Sequence, residues 1–538
     1  MNIEFAHNIL DILQTMKDAV KQMKQQYSAG NMEMFNSLSM DLWDGLFAVQ
    51  QTVRQEVPEE SRIRLADACT CAMESLKDIK YYVLTAPQKV EWKLEYELAP
   101  IIETATIQFY YWGVVHEHPE EYAVFRQYLA ETDTFEILHE ERGKRAYDHE
   151  LSIVVTGYNH IDYTIQCVES IKRNLPSDIT SELLVYNHGS NDGTKEYFEK
   201  DKDVKVLNVA VNGIMPSALN RASARGEFSL FVSNDIIIGE QAIQNLYRCI
   251  TEHQQYGYVV PTTPNVSNLQ TVPASYETQE EFYEFVHRHN IYDERKHEQR
   301  VRLCNPIQIV NSEVWAKTLF EMYEELCCCT NIQSFPDDKI SLWMRRNSYK
   351  CILAKDAYCH HFGSVTLRHD LGKEWEQQQF YLNGRRDFFE RYGVDPWGLG
   401  FCYDLQLFDK WEIPLLEDAK VLGINCGLGS NSLKVKEILR ERGAEHVALY
   451  NATQEQRFLE DLKGVSDKAF FCNELSDIVA NTDIKKYNYV VVEGTILNSH
   501  GRTVQEMLKE AGILYDELAV RVSETSWQII KADKEKSL

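Results

Sequence analysis

The sequence predicts an α/β multidomain chain: a helical bundle, then a central α/β domain with a mostly parallel sheet, then a smaller doubly wound α/β unit. Three observations carry this reading. Apolar residues recur at helical spacing through the first 147 residues, short apolar strands begin abruptly at Leu151, and another strand opens onto a glycine-rich turn just after Lys420. At 538 residues the chain also exceeds what one hydrophobic core organises.

Residues 1–147 read as helices. Ile9, Leu13, Met16, Val20 and Met23 form one stripe, and Gly30 supplies a stop. Phe35, Leu38, Leu42, Leu46 and Val49 repeat the pattern, as do Leu65, Cys69, Ala72, Leu76 and Ile79 after a break around Pro58. A segment from Val90 through Trp112 is apolar and aromatic, interrupted by Pro100. Short connections predict an antiparallel bundle. It holds no catalytic constellation, so its expected use is docking or homo-oligomer formation.

The formal net charge of −26 argues against a nucleic-acid partner, which requires a basic face. It also disfavours attachment to an anionic membrane surface. An anionic ligand held locally by a metal or a helix N-terminus stays open. No apolar stretch approaches a bilayer span, and Met1-Asn2-Ile3-Glu4-Phe5 lacks the start of a signal peptide. The thirteen cysteines are irregularly spaced, often within apolar runs such as Cys327-Cys328-Cys329, and read as reduced core thiols. Together these features predict a cytoplasmic protein.

The central domain, residues 148–370, starts with the apolar strand Ser152–Thr156, which opens onto Gly157-Tyr158-Asn159-His160. A helical stretch around Cys167–Ile171 leads to a second strand, Glu182–Tyr186, ending in the polar turn Asn187–Thr194. Strand, helix and strand at this spacing predict a βαβ unit, whose ligand loops lie at the carboxyl ends of the strands. The apolar strand Phe228–Val232 ends at Ser233-Asn234-Asp235, and an aspartate there suits Mg²⁺ or Mn²⁺, hard cations that prefer oxygen. Farther on, Phe335-Pro336-Asp337-Asp338 precedes a helix, where acidic residues also serve as simple caps. His360-His361-Phe362-Gly363-Ser364 follows a short strand.

In this order the pieces resemble the family-2 glycosyltransferases, of GT-A fold. Ser152–Asn159 is similar to the family's opening strand, which makes Thr156, Tyr158 and Asn159 expected contacts of the donor nucleotide. Asn187–Thr194 resembles the D-[DN]-G-S-x-D-G-T turn and brings Asn187, Gly189, Ser190 and Asp192 into that set. Asn212-Gly213, Ala218, Asn220, Ala224 and Gly226-Glu227 resemble the spaced N-G…A-x-N…A-x-G-E run, adding Asn212, Gly213 and Asn220. Ser233 and Asn234 join the set, because Ser233-Asn234-Asp235 takes the place of the D-x-D motif. The resemblance implies Asp235 as metal ligand, assisted by His361, and Asp338 or Asp337 as catalytic base. Two departures stand out: Asn187 replaces an aspartate, and Ser233 replaces the first aspartate of D-x-D. The implied reaction is inverting, metal-assisted transfer of a hexose from a nucleotide sugar, UDP-sugar favoured, with Mn²⁺ or Mg²⁺.

Residues 371–418 read as a helical and aromatic extension. In residues 419–538, Val421–Asn425 is a strand, and Gly423-x-x-x-Gly427-x-Gly429 resembles the first motif of S-adenosylmethionine-dependent methyltransferases. Asn451 stands where those enzymes place an acid on the ribose. Gly423, Gly427, Gly429 and Asn451 therefore mark an expected but degenerate cofactor site in a Rossmann-like domain, with S-adenosylmethionine absent. The combined expectation is a bacterial glycosyltransferase acting on a protein such as flagellin, or on a glycan. The alternatives are a bifunctional glycosyl- and methyltransferase and a non-catalytic scaffold.

Overall fold

The computed structural model describes residues 2–56, 59–138, 147–212, 224–326, 335–363, 381–497 and 499–532. They divide into two compact units: Met1–Ile236 with Ile309–Gln333, and Ile237–Gln308 with Ser334–Leu538. Among the described residues, no helix is long and apolar enough to cross a membrane.

The first unit opens with helices α1 (Ile3–Ser28), α2 (Met32–Glu56), α3 (Glu59–Thr85) and α4 (Ala99–Phe109). Asn2 caps α1 by accepting the Glu4 N–H at 2.9 Å. The expected stripes face inward: Leu13, Val20, Leu46, Leu76 and Ile79 are all buried. Burying each side chain of this size stabilises by about 1.5–3 kcal/mol. The bundle also buries charge, but in pairs, with Lys17 Nζ 2.5 Å from Glu103. Pro100 does not interrupt the helix as the sequence suggests. A π turn over Leu94–Leu98 places it in the first turn of α4, where its missing N–H leaves no helical bond unmade.

The same unit continues as a parallel sheet, β1 (His149–Gly157), β2 (Ser181–His188), β3 (Lys205–Val209) and β4 (Gly226–Ser233), paired in the order β3-β2-β1-β4. The strands read as apolar runs because both faces are covered; Leu151, Ile153, Val154 and Val155 of β1 are all buried. Helix Ile161–Arg173 supplies the crossover from β1 to β2. Parallel pairing brings the carboxyl ends of β1, β2 and β4 to one edge.

In the second unit β7 (Lys350–Tyr358) pairs in parallel with β5 (Tyr256–Thr262) and antiparallel with β6 (His297–Arg300). Helix α5 (Pro336–Arg346) precedes β7. A six-stranded sheet follows: β8 (Asp418–Ile424), β9 (His446–Thr453), β10 (Lys468–Phe471), β11 (Lys486–Val492), β12 (Leu514–Ser523) and β13 (Ser526–Lys531). Its order is β10-β9-β8-β11-β12-β13, parallel except for the final hairpin. Helices α6 (Ser430–Glu441) and α7 (Leu459–Lys463) pack on it. Phe335 and Leu342 share one apolar core with Phe388, Trp411, Leu433 and Leu462.

Residues 371–380 lie outside the described residues, and beyond them the α-helical stretches are Gly384–Tyr392 and Leu405–Phe408. Gly393, at φ +73°, ends the first, and residues 396–402 then run through successive turns, with the Gly398 N–H donating to the Asp395 carbonyl and the Phe401 N–H to the Gly398 carbonyl.

Candidate active site

At the edge of the first sheet, the turn after β1 is built to meet the turn after β2. Asn159 and His160 both take left-handed backbone conformations, at φ 53° and 57°. Ser190 Oγ accepts the Asn159 N–H at 2.8 Å, and Asn159 Oδ1 accepts the Asn191 N–H at 3.0 Å. Asp192 ties the β2 turn to the following helix starts, accepting the Ile161 N–H at 2.8 Å and the Thr194 hydroxyl at 2.6 Å. Burial pushes the Asp192 carboxyl up, but these donors outweigh it and hold it below its ordinary value. Asn234 joins from the end of β4, its amide donating to the Thr164 hydroxyl at 2.9 Å. Gly157 makes room for that amide, since a Cβ there would stand 3.0 Å from Asn234 Nδ2.

Asn187 lies at the end of β2, where the sequence departs from an aspartate. Its amide donates to Asn208 Oδ1 at 2.9 Å, and its Oδ1 accepts the Ser190 N–H at 3.1 Å. Asn208 is held in turn by Glu97 of the helical region, which accepts its N–H at 2.7 Å. Glu97 is buried against Lys93 at 2.6 Å. The N-terminal helices thus fix the β2 turn through a chain of part-buried hydrogen bonds anchored on the buried Lys93–Glu97 pair. Thr156, Tyr158, Gly189, Asn212 and Ser233 also border this edge, whereas Gly213 and Asn220 lie outside the described residues. Asp235 follows β4 and is buried.

His361 and the aspartate pair belong to the second unit. The His361 carbonyl accepts the Asn265 amide at 2.9 Å, and Gly363 turns the chain at φ +96°. Ser364 lies outside the described residues. Asp337 and Asp338 occupy the first turn of α5 and line a pocket of ≈350 Å³ with Arg302, Tyr381 and Trp397. Arg302 Nε stands 2.7 Å from Asp338 Oδ1. Burial raises the Asp338 carboxyl to about 7, with Arg302 opposing the rise and Asp337 adding to it. Burial likewise raises Asp337 to about 6. A carboxyl that ionises near neutrality is suited to accept a proton.

The far end of α5 is gripped by α7. Asp461, fully buried, lies 2.5 Å from Arg345 Nη2 and 2.8 Å from Arg346 Nη2. Arg345 also donates to the Val301 carbonyl, next to Arg302. Gly464 lets the chains touch, because a Cβ there would strike the Arg345 carbonyl.

The glycine-rich turn after β8 is already filled. The Leu428 N–H donates to the Leu399 carbonyl at 3.0 Å, and the Ser430 N–H to the Gly400 carbonyl at 3.1 Å. A side chain at Gly427 would strike the Leu399 carbonyl, and one at Gly400 the Cys426 carbonyl of the turn. Asn451 sits inside β9 rather than past its end; it accepts the Ser432 hydroxyl at 2.9 Å and donates to Ser466 at 2.8 Å. Gly423 is small because Asn451 Oδ1 occupies the space above it.

Among the described residues, no group of three or more His, Cys, Asp and Glu side chains is placed to hold a metal ion. Sequence reading missed Glu97, Asn208, Arg302 and Asp461, each of which acts through partners distant in the chain.

Residues 152–302 match the family model described as Glycosyl transferase family 2. Glycosyltransferase GlyG of Streptococcus pneumoniae is 32% identical over 108 residues, which is 19% of this chain and 35% of that protein. Glycosyltransferase GlyA of the same organism is 29% identical over 114 residues, 20% of this chain and 16% of that protein. The chain therefore spans about a third or less of the length of these relatives. Among solved structures, a 1–349 fragment of S. aureus TarS covers 49% of this chain and 77% of its own, at 17% identity. With a TM-score of 0.29, that overlap is too slight to bear on function.

Proposed function

We propose that the chain is a glycosyltransferase, moving a sugar from a nucleotide-sugar donor to an acceptor hydroxyl with inversion. The observation that carries this is Asp338: a buried carboxyl raised to about 7, lining a pocket in a chain whose residues 152–302 match a glycosyl transferase family. In this reading the acceptor oxygen attacks the anomeric carbon as the bond to the diphosphate breaks. Its proton passes to Asp338, and the nucleoside diphosphate departs. Arg302 holds the Asp338 carboxylate and keeps it ionisable near neutral pH. The turns after β1 and β2 bind the nucleotide, with Asn187 offering an amide in place of a charge.

Asp235 supplies the carboxylate for Mn²⁺ or Mg²⁺, which when bound neutralises the diphosphate. Asp235 is buried just past β4, and one such carboxylate would suffice for a cation that also takes oxygens of the substrate's phosphates. The domain division proposed is a helical module at 1–147, a GT-A domain at 148–370, an extension at 371–418 and a Rossmann-like domain at 419–538. A hexose donor bearing UDP and a protein or glycan acceptor complete the proposal.

The test is turnover and thermal shift across UDP-, GDP- and dTDP-sugars with Mn²⁺, with and without EDTA. One donor should be consumed and should raise Tm, and both effects should collapse with EDTA. Absence of both for every donor would favour the scaffold. S-adenosylmethionine should leave Tm unchanged, because the Leu399 and Gly400 carbonyls occupy the amides that would face a cofactor. A clear S-adenosylmethionine shift would restore the bifunctional alternative.

A further inference from the structure

We propose that the cleft over the carboxyl edge of the C-terminal sheet is an acceptor subsite for a neutral oligosaccharide, holding the sugar residues that flank the reacting hydroxyl; this rests on the glycosyl-transfer reading. The cleft has a volume of ≈1550 Å³. That exceeds the roughly 300–1,000 Å³ typical of small-molecule pockets and suits a chain of sugars. Ser267, Arg302 and Trp397 line both this cleft and the Asp337–Asp338 pocket, so the two spaces share a wall at the proposed base.

The chemistry of the lining narrows the occupant. Backbone amides of the glycine-rich turn, the usual phosphate cradle, are spent on Leu399 and Gly400. The two arginines of the cleft are spent as well: Arg302 on Asp338, and Arg521 on Glu493 Oε1 at 3.1 Å. Among the described residues, no lining cation is left over for a phosphate or a nucleotide. What the cleft offers instead is half-buried rings, Trp397, Phe401 and Tyr403, with carboxylates and amides between them. Rings cover the C–H faces of sugars, and carboxylates accept their hydroxyls.

Glu493 makes the case specific. It stands one residue past β11, is 7% exposed and lines the cleft. Its buried Oε2 has no donor in full hydrogen-bond geometry among the described residues, and the Asn431 amide and Arg521 are what the carboxyl draws on. A buried acceptor short of well-aligned donors is costly, and a ligand hydroxyl reduces that cost. A basic peptide could also approach this carboxylate, but it would leave the aromatic wall unused.

The experiment titrates the full chain, by calorimetry, with linear hexose and N-acetylhexosamine oligosaccharides of two to six residues. Glu493→Gln and Tyr403→Ala are run beside wild type, with thermal unfolding to confirm that each folds. Binding of at least one oligosaccharide, weakened about tenfold or more by either substitution, is the expected result. No binding to wild type, equal binding in both variants, or displacement by a lysine-rich peptide would overturn the subsite. A donor-induced rise in Tm without oligosaccharide binding overturns the subsite alone. The absence of both the donor-induced rise in Tm and oligosaccharide binding overturns the glycosyl-transfer reading as well.

Discussion

Asp338→Asn is expected to lower sugar transfer by about 10²–10⁴-fold, the usual contribution of a positioned base. Asn keeps the shape and accepts no proton. Because Arg302 sits 2.7 Å from Asp338, the neutral variant also leaves a buried cation short of its counterion, so Tm should be recorded beside the rate. In wild type the rate should rise with pH through about 7, since the group must be ionised to act. Arg302 favours the ionised form, so Arg302→Gln should move that limb to higher pH. Equal turnover in wild type and Asp338→Asn, with both folded, would remove Asp338 from the role. The Asp337→Asn variant then becomes the informative one, because the two carboxyls share the first turn of α5 and line the same pocket.

Asp461→Asn is expected to destabilise the second unit by about 3–5 kcal/mol, the cost of removing one partner from a buried ion pair. Asp461 answers both Arg345 and Arg346, and it has no exposure to solvent that could substitute. Denaturant unfolding reads this directly. A second readout separates electrostatics from packing. Arg345 is among the charges that lower the Asp338 carboxyl, and Asp461 masks Arg345. Unmasking it should shift the acidic limb of the rate profile to lower pH. An unchanged unfolding midpoint together with an unchanged profile would show that the contact contributes little.

Much of the architecture was legible because it is written locally. Strand and turn alternate within about ten residues at Ser152–Asn159 and at Glu182–Thr194, and the bundle stripes repeat every three or four residues. The aspartate pair was legible as a helix start. Its environment was not, because Arg302 lies 36 residues away and Asp461 more than 100, with no spacing rule to link them. The glycine pattern after β8 shows the opposite failure: the motif is plain, yet its occupant comes from Leu399 and Gly400, whose sequence carries no such signal. Pro100 was misleading for a related reason, since a π turn before it is a packing outcome rather than a propensity.

The crossing of Leu399 and Gly400 through the glycine-rich turn bears on how this protein can be taken apart. Motif boundaries would place the scissors near Lys420, just inside β8. A fragment cut there would begin life with two open amides at the head of α6, and with the indole of Trp527 missing the Asp404 carboxylate it donates to at 2.8 Å. The strip from Leu399 to Asp404 packs on the C-terminal sheet and its glycine-rich turn although it precedes them in the chain. Swapping, truncating or transplanting that domain should carry the strip along.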